Sequence, residues 1–343
     1  MTASAGGKPA VGRDSLAASD RSLRAQLGRA IRRHPSLFGM PALLIAALAI
    51  TLAAHPQFSD FDLQSLAMGA LPLAFAAAAQ TAVVISGGID LSIGSMMAVA
   101  NVLAASTMEH ASFGQSLALA AAVLLAGAGM GALNGLIVIL SRVPDVVATL
   151  TTGFIWGGVA LLIMEKPGGG APPEFLDLGA GTLFTTWLPN ALILLAVAVS
   201  AIWIPVRLSK LVLQLYAIGS DRNAAFRSGV NVDRTRFSAY ILSGLFSAVG
   251  GLGLTMTTGI GSALAGVYYT LSGVAAVVIG GVSLAGGRGG ILGPVIAAFV
   301  LTLIPADLIF LNIDPNFGQV IQGTLIVAIV MIGGFLAMAR TRK

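Results

Sequence analysis

The sequence contains no cysteine. Disulfides, thiol nucleophiles and thiolate metal ligands are therefore excluded. Histidine is nearly as scarce: His34, His55 and His110 stand far apart, each near the edge of an apolar segment, so no metal cluster is expected. Charge is scarce too. Charged residues make up 10% of the chain, against about 25% in a soluble protein, while hydrophobic residues make up 56%. Such a chain cannot cover a water-facing surface with polar groups, so its solvent is lipid. Also missing is any Gly-x-x-x-x-Gly-Lys-Ser/Thr run to cradle nucleotide phosphates. With no cysteine and no histidine inside an apolar segment, an intramembrane nucleophile–base pair has few parts to draw on, and no catalytic residue is assigned.

What is present is a series of apolar stretches, each close to the ~20 residues needed to cross a bilayer. They fall at 37–54, 65–86, 91–108, 115–140, 145–164, 188–206, 237–258, 268–284, 289–310 and 319–338, the third and eighth being short and Gly-rich. The pattern predicts an all-α polytopic membrane protein of about ten transmembrane helices, with discontinuous Gly-rich segments. Residues 1–36 are polar and basic and read as a cytoplasmic N-terminal tail; residues 37–343 form the transmembrane domain. The first apolar stretch is read as an uncleaved span, because a long basic region precedes it and no convincing cleavage site precedes His55. With both termini in the cytoplasm, every basic residue except Lys166 falls on the inner side. The net charge of +5 then reflects membrane orientation rather than nucleic-acid binding.

The centre of the sequence is Val84-Ile-Ser-Gly-Gly-Ile-Asp-Leu-Ser-Ile-Gly-Ser95. Gly87 and Gly88 loosen a helix, and Asp90 stands where an N-cap would stand for a helix running on from Leu91. A carboxylate amid membrane-length apolar sequence needs protein or water around it. It is either a tight turn with a capping Asp or a discontinuous helix lining a path, and the two are compatible. For a neutral solute such a path needs hydrogen-bonding groups; Ser86, Asp90, Ser92, Asn101 and Asn134 are candidates, with Gly87 and Gly88 at the break. Asn101 and Asn134 equally suit helix–helix packing.

Two loops are too long to be simple turns. The outer loop, 165–187, carries Glu165, Glu174 and Asp177, and Pro167, Pro172 and Pro173 stiffen it. It reads as a surface connector or as a docking surface for a soluble partner. The inner loop, 207–236, contains a short helix that Ser220 or Asp221 can cap and Gly229 can end, with Phe226 and Val230 giving it an apolar contact. It either lies on the membrane or inserts as a knob into a cytosolic partner. A third segment, from Val278 to Pro294, is Gly-rich. Its Gly280-Gly281 echoes Gly87-Gly88, and Arg288 reads as an inner-face anchor, with a contact to Asp90 as a further option. Pro294 and Pro305 should kink or loosen the ninth span.

The run from Thr81 to Asn101 closely resembles the signature of ribose-type ABC importer permeases, the binding-protein-dependent monosaccharide systems. So do Ala132-Leu-Asn-Gly-Leu-Ile-Val138, the Tyr216–Val230 loop and the Ile279–Leu292 segment, in the same order from about residue 37 onward. The resemblance implies a subunit of the bacterial inner membrane, embedded in the lipid bilayer. It implies a second permease copy (identical or related), two cytosolic ATPase subunits that carry the ATP and Mg, and a periplasmic sugar-binding protein docking on the outer loops near Glu165, Glu174 and Asp177. No cofactor is implied on this chain itself. Gly219, Ser220, Asp221, Arg222, Asn223, Ala224, Ala225, Phe226 and Gly229 would form the ATPase-coupling helix, and Gly280, Gly281, Gly286, Gly287 and Arg288 the Gly-rich inner loop. Asn223 stands where the broader coupling motif has Glu. Asp145 follows Pro144 where an apolar residue is more usual, and Ser209-Lys210 occupies the region of a common Gly-Arg pair. An ion- or proton-coupled secondary transporter is the alternative; with Asp90 as the main intramembrane carboxylate it has few relay groups.

Overall fold

Several helix starts are written locally. Ser59 and Ser112 each open a capping box, with Asp62 and Gln115 at the third helical position reaching back to the cap backbone. Pro172 and Pro189 stand at two further N-caps. The computed structural model describes residues 35–314, and beyond them 316–318, 320, 321, 323, 324, 327, 328 and 331. The expected N-terminal tail, apart from its last two residues, and most of the expected last span therefore lie outside the described residues.

The elements are α1 (Pro35–Ala54), α2 (Asp60–Ile85), α3 (Ile93–Met108), α4 (Phe113–Ser141), α5 (Asp145–Ile163), α6 (Pro173–Ala180), α7 (Asn190–Leu208), α8 (Lys210–Ser220), α9 (Arg222–Arg227), α10 (Val232–Thr258), α11 (Val267–Ile279) and α12 (Leu292–Phe310). No strand occurs among the described residues, only two isolated bridges. A helix stands at each expected segment from 37–54 to 289–310. Six of these helices are long and apolar enough to cross a membrane, while α3, α11 and the apolar part of α1 (Gly39–Ala54) are shorter. The chain is an all-α, multi-pass membrane protein.

Helices α2 and α10 form the centre, packed on each other, with α4 and α3 against α10 and α12 and α11 against α2. The apolar window of α2 is 89% buried, whereas that of α7 is 17% buried. Of the six long helices α10 is the least apolar and α7 the most. That order is physical: a helix surrounded by protein need not dissolve in lipid, while one facing lipid must. The α4–α10 seam is made of small residues. A Cβ on Gly131 would strike the Tyr240 carbonyl and Gly244, and one on Gly244 would strike the Gly127 carbonyl. Backbones approach this closely only where side chains are absent.

Contacts define two ends of the bundle. At one end Gly168 pairs with Gly261, the Gly170 N–H donates to the Ala105 carbonyl at 2.9 Å, the Gln64 amide donates to the Ala180 carbonyl, and His55 stacks on Phe310. The 165–187 loop lies here. It is more ordered than a bare connector, because α6 buries Phe175 and packs Gly179 on Met256. Glu165, Glu174 and Asp177 are exposed on it. Two expectations need correction. Pro294 lies in the first turn of α12, where its missing N–H breaks no helical bond; Pro305 lies inside α12, which continues to Phe310 but lacks the hydrogen bond its N–H would have made. The short helix α9 does not bury Phe226, which is 70% exposed; Ala225, Ile218 and Val232 form the apolar contact, with Val230 against them.

Candidate functional site

The opposite end of the bundle gathers the motifs singled out in the sequence. Helix α2 terminates in a Schellman motif: the Gly87 N–H donates to the Val84 carbonyl at 2.9 Å and the Gly88 N–H to the Val83 carbonyl at 3.2 Å. Gly87 has φ +83°, a conformation that side chains resist. Helix α11 ends in the same way, with Gly281 (φ +80°) bonded to Val278 and the Val282 N–H to Val277. Gly87 therefore corresponds to Gly281. The Gly-Gly echo is real in structure but one residue out of the register that the sequence suggested.

Beyond the break the chain turns through Asp90, which is 0% exposed. Its Oδ1 accepts from the Ser92 N–H at 2.9 Å and the Ser92 hydroxyl at 2.5 Å; its Oδ2 accepts from the Ser243 hydroxyl of α10 at 2.8 Å. Asn134 of α4 donates to Ser92 Oγ at 2.6 Å, and the Trp156 indole of α5 donates to Asn134 Oδ1 at 3.0 Å. The Leu91 N–H donates to Thr149 Oγ1, again from α5, at 3.0 Å. One connected network thus ties the break to α4, α5 and α10. Such a network holds a shape, because removing any member strands a buried polar partner. Ser86 closes the end of α2 through its own hydroxyl, 2.8 Å from the Val83 carbonyl.

Asn101 is not part of this cluster. It binds toward the other end of the bundle, donating to Thr255 Oγ1 and the Ile260 carbonyl and accepting from the Ser262 N–H at 2.8 Å. Arg288 is exposed, and the partners of Asp90 are Ser92 and Ser243, so the optional Arg288 contact is not made.

The sequence reading missed a second buried cluster beside the break. One guanidinium nitrogen of the nearly buried Arg236, on α10, donates to both oxygens of Asp145 at the start of α5, and the Tyr240 hydroxyl donates to Asp145 Oδ2 at 2.9 Å. Gly88 presses on this carboxylate: a Cβ there would stand 2.5 Å from Asp145 Oδ2. The departure at Asp145 was visible in the sequence; its partner was hidden among the basic residues assigned to orientation.

The inner loop forms α8 and α9. Asp221, not Ser220, is the cap, accepting from the Asn223 and Ala224 N–H groups at 2.9 Å each. The bonds use backbone donors, so Asn223 in place of Glu leaves the cap intact. Gly229 (φ +84°) ends the turn in open space. Gly219 and Gly286 both lie against Gly87, and the Gly287 N–H donates to the Ile85 carbonyl at 3.0 Å. The Tyr216 phenol, whose acidity burial lowers, donates to the Gly289 carbonyl at 2.5 Å.

An all-α membrane bundle with broken helices meeting a short exposed helix at one end suits a transport subunit. Residues 63–330 match the family described as branched-chain amino acid transport system / permease component, and the chain belongs to that family. Among curated relatives, the ribose import permease protein of Escherichia coli (strain K12) is 30% identical over 84% of this chain and 91% of its own. The galactofuranose transporter permease protein of the same organism is 31% identical over 86% and 89%. The ribose import permease protein of Haemophilus influenzae is 28% identical over 91% and 96%. No solved structure matches the chain.

Proposed function

We propose that the chain is the membrane-spanning permease subunit of an ATP-driven ABC importer that moves a monosaccharide across the bacterial inner membrane. The carrying observation is near full-length similarity to permeases named for sugar import, within a permease family whose match covers residues 63–330. The topology has ten spans and both termini in the cytoplasm. The end bearing Asp145, Arg236 and α9 faces the cytoplasm, in keeping with Arg142, Arg207, Lys210, Arg222, Arg227, Arg234 and Arg288 in the segments there.

Two such permeases, identical or related, enclose the path, and two cytosolic ATPases bind ATP and Mg. The α9 helix is the coupling element, with exposed Phe226 as the knob that enters the ATPase. A periplasmic sugar-binding protein docks at the opposite end, where Glu165, Glu174 and Asp177 are exposed, and releases sugar into the path. ATP-driven closure displaces α9 and switches the open side. The Ser86–Ser92 break forms part of the wall that shifts; Gly87 and Gly88 permit the turn, while Asp90, Ser92 and Asn134 fix its shape. Asn101 fixes the wall toward the periplasmic end. Co-purification tests the assembly. The chain expressed with its ATPase should retain it, Phe226→Glu should lose it, and retention by Phe226→Glu would refute the assignment of α9.

A further inference from the structure

Resting on the importer reading above, we infer that Gly87, Gly219 and Gly286 form a rigid backbone joint that carries displacement of α9 directly to the broken ends of α2 and α11. These glycines come from three separate segments: the end of α2, the end of α8 just before α9, and the turn that follows α11. A Cβ on Gly286 would stand 2.8 Å from Gly87 Cα and 2.9 Å from Gly219 Cα. A Cβ on Gly219 would strike the Ile85 carbonyl and the Gly287 nitrogen. The surfaces in contact are therefore backbone, with no side chain between them to yield.

Hydrogen bonds close the joint on two sides. The Gly287 N–H donates to the Ile85 carbonyl, a last-turn acceptor of α2. The Tyr216 phenol on α8 donates to the Gly289 carbonyl. The 283–288 turn is itself closed by the Ser283 N–H on the Arg288 carbonyl at 3.1 Å. Gly219 and the Asp221 cap of α9 are two residues apart, and Ser220 between them lies against Gly287. A push on α9 has little slack before it reaches both helix ends, because packed interfaces shift as units and not by gradual deformation. Gly219 and Gly286 are thus positioning residues for transport.

The test uses the full complex with its ATPase and binding protein in proteoliposomes, reading solute uptake per ATP hydrolysed. Gly219→Ala should lower uptake per ATP about tenfold. Gly290→Ala, in the same segment but with nothing within 4 Å, should leave the ratio unchanged. In the wild type, hydrogen exchange should show the Gly287 amide protected both without nucleotide and with ATP trapped. Near-normal coupling in Gly219→Ala would overturn the joint, as would free exchange at Gly287 in either state, and the exchange result decides the matter if the variant does not fold. A wild-type chain that binds no ATPase would instead overturn the importer reading, and the inference with it.

Discussion

Arg236 and Asp145 form an ion pair, one guanidinium nitrogen shared between both carboxylate oxygens, that joins the N-terminal end of α10 to the start of α5, directly behind the Gly88 backbone. The pair links residues 91 positions apart, and Arg236 lies nine residues after Arg227, the end of α9. Asp145→Asn removes the charge while leaving the guanidinium buried, and should cost about 3–5 kcal/mol. Replacing both residues with apolar side chains of similar volume should recover most of that loss. Thermal unfolding of the single and double variants in detergent measures the difference.

The α4–α10 seam separates two kinds of glycine. Gly131→Ala or Gly244→Ala puts a methyl group into the facing backbone and should destabilise by about 1–3 kcal/mol. Gly129→Ala, on the same α4 helix but with nothing within 4 Å, should be neutral or stabilise by up to about 1 kcal/mol, as expected for Gly to Ala in a helix. Unfolding midpoints of the three variants report the contrast.

Gln80 is fully buried on α2, and neither its amide nitrogen nor its oxygen has a partner among the described residues. An unsatisfied buried amide carries a penalty of about 1–3 kcal/mol. Gln80→Met keeps the length, removes both polar atoms, and should raise the unfolding midpoint. A lowered midpoint would show that the amide is engaged in the assembled transporter.

At the break, Ser243→Ala removes the donor to Asp90 Oδ2. The expected loss is about 1–3 kcal/mol, the cost of leaving a buried polar group unsatisfied. Ser238→Ala, whose exposed hydroxyl bonds only to its own helix, should fall within about 0.5 kcal/mol of the wild type. Equal stabilities in the two variants would remove Asp90 from the network that shapes the break.

Much of this site was legible in the sequence because its signals are local. Two glycines before a carboxylate marked the break, and Asp221 with Gly229 marked both limits of α9. Helix order followed from apolar length. The rest depends on which residues meet across the bundle. Nothing local says that Gly87, Gly219 and Gly286 converge, since a glycine advertises only the absence of a side chain. Arg236 looked like one more orienting charge, and only packing shows it turned inward to Asp145. Phe226 with Val230 was expected to supply the apolar contact of α9, yet Ala225 takes the inward position and leaves the ring outside. Asn101 and Asn134 looked alike, but the first secures the turn after α10 and the second the break after α2.

The most direct test of the central claim is uptake of labelled monosaccharides by proteoliposomes holding this chain, its ATPase and its binding protein. Uptake of a pentose or hexose that requires ATP, the ATPase and the binding protein together, with no uptake of leucine, is the result the account predicts. Uptake by this chain alone under a proton or sodium gradient would contradict it and identify an ion-coupled transporter.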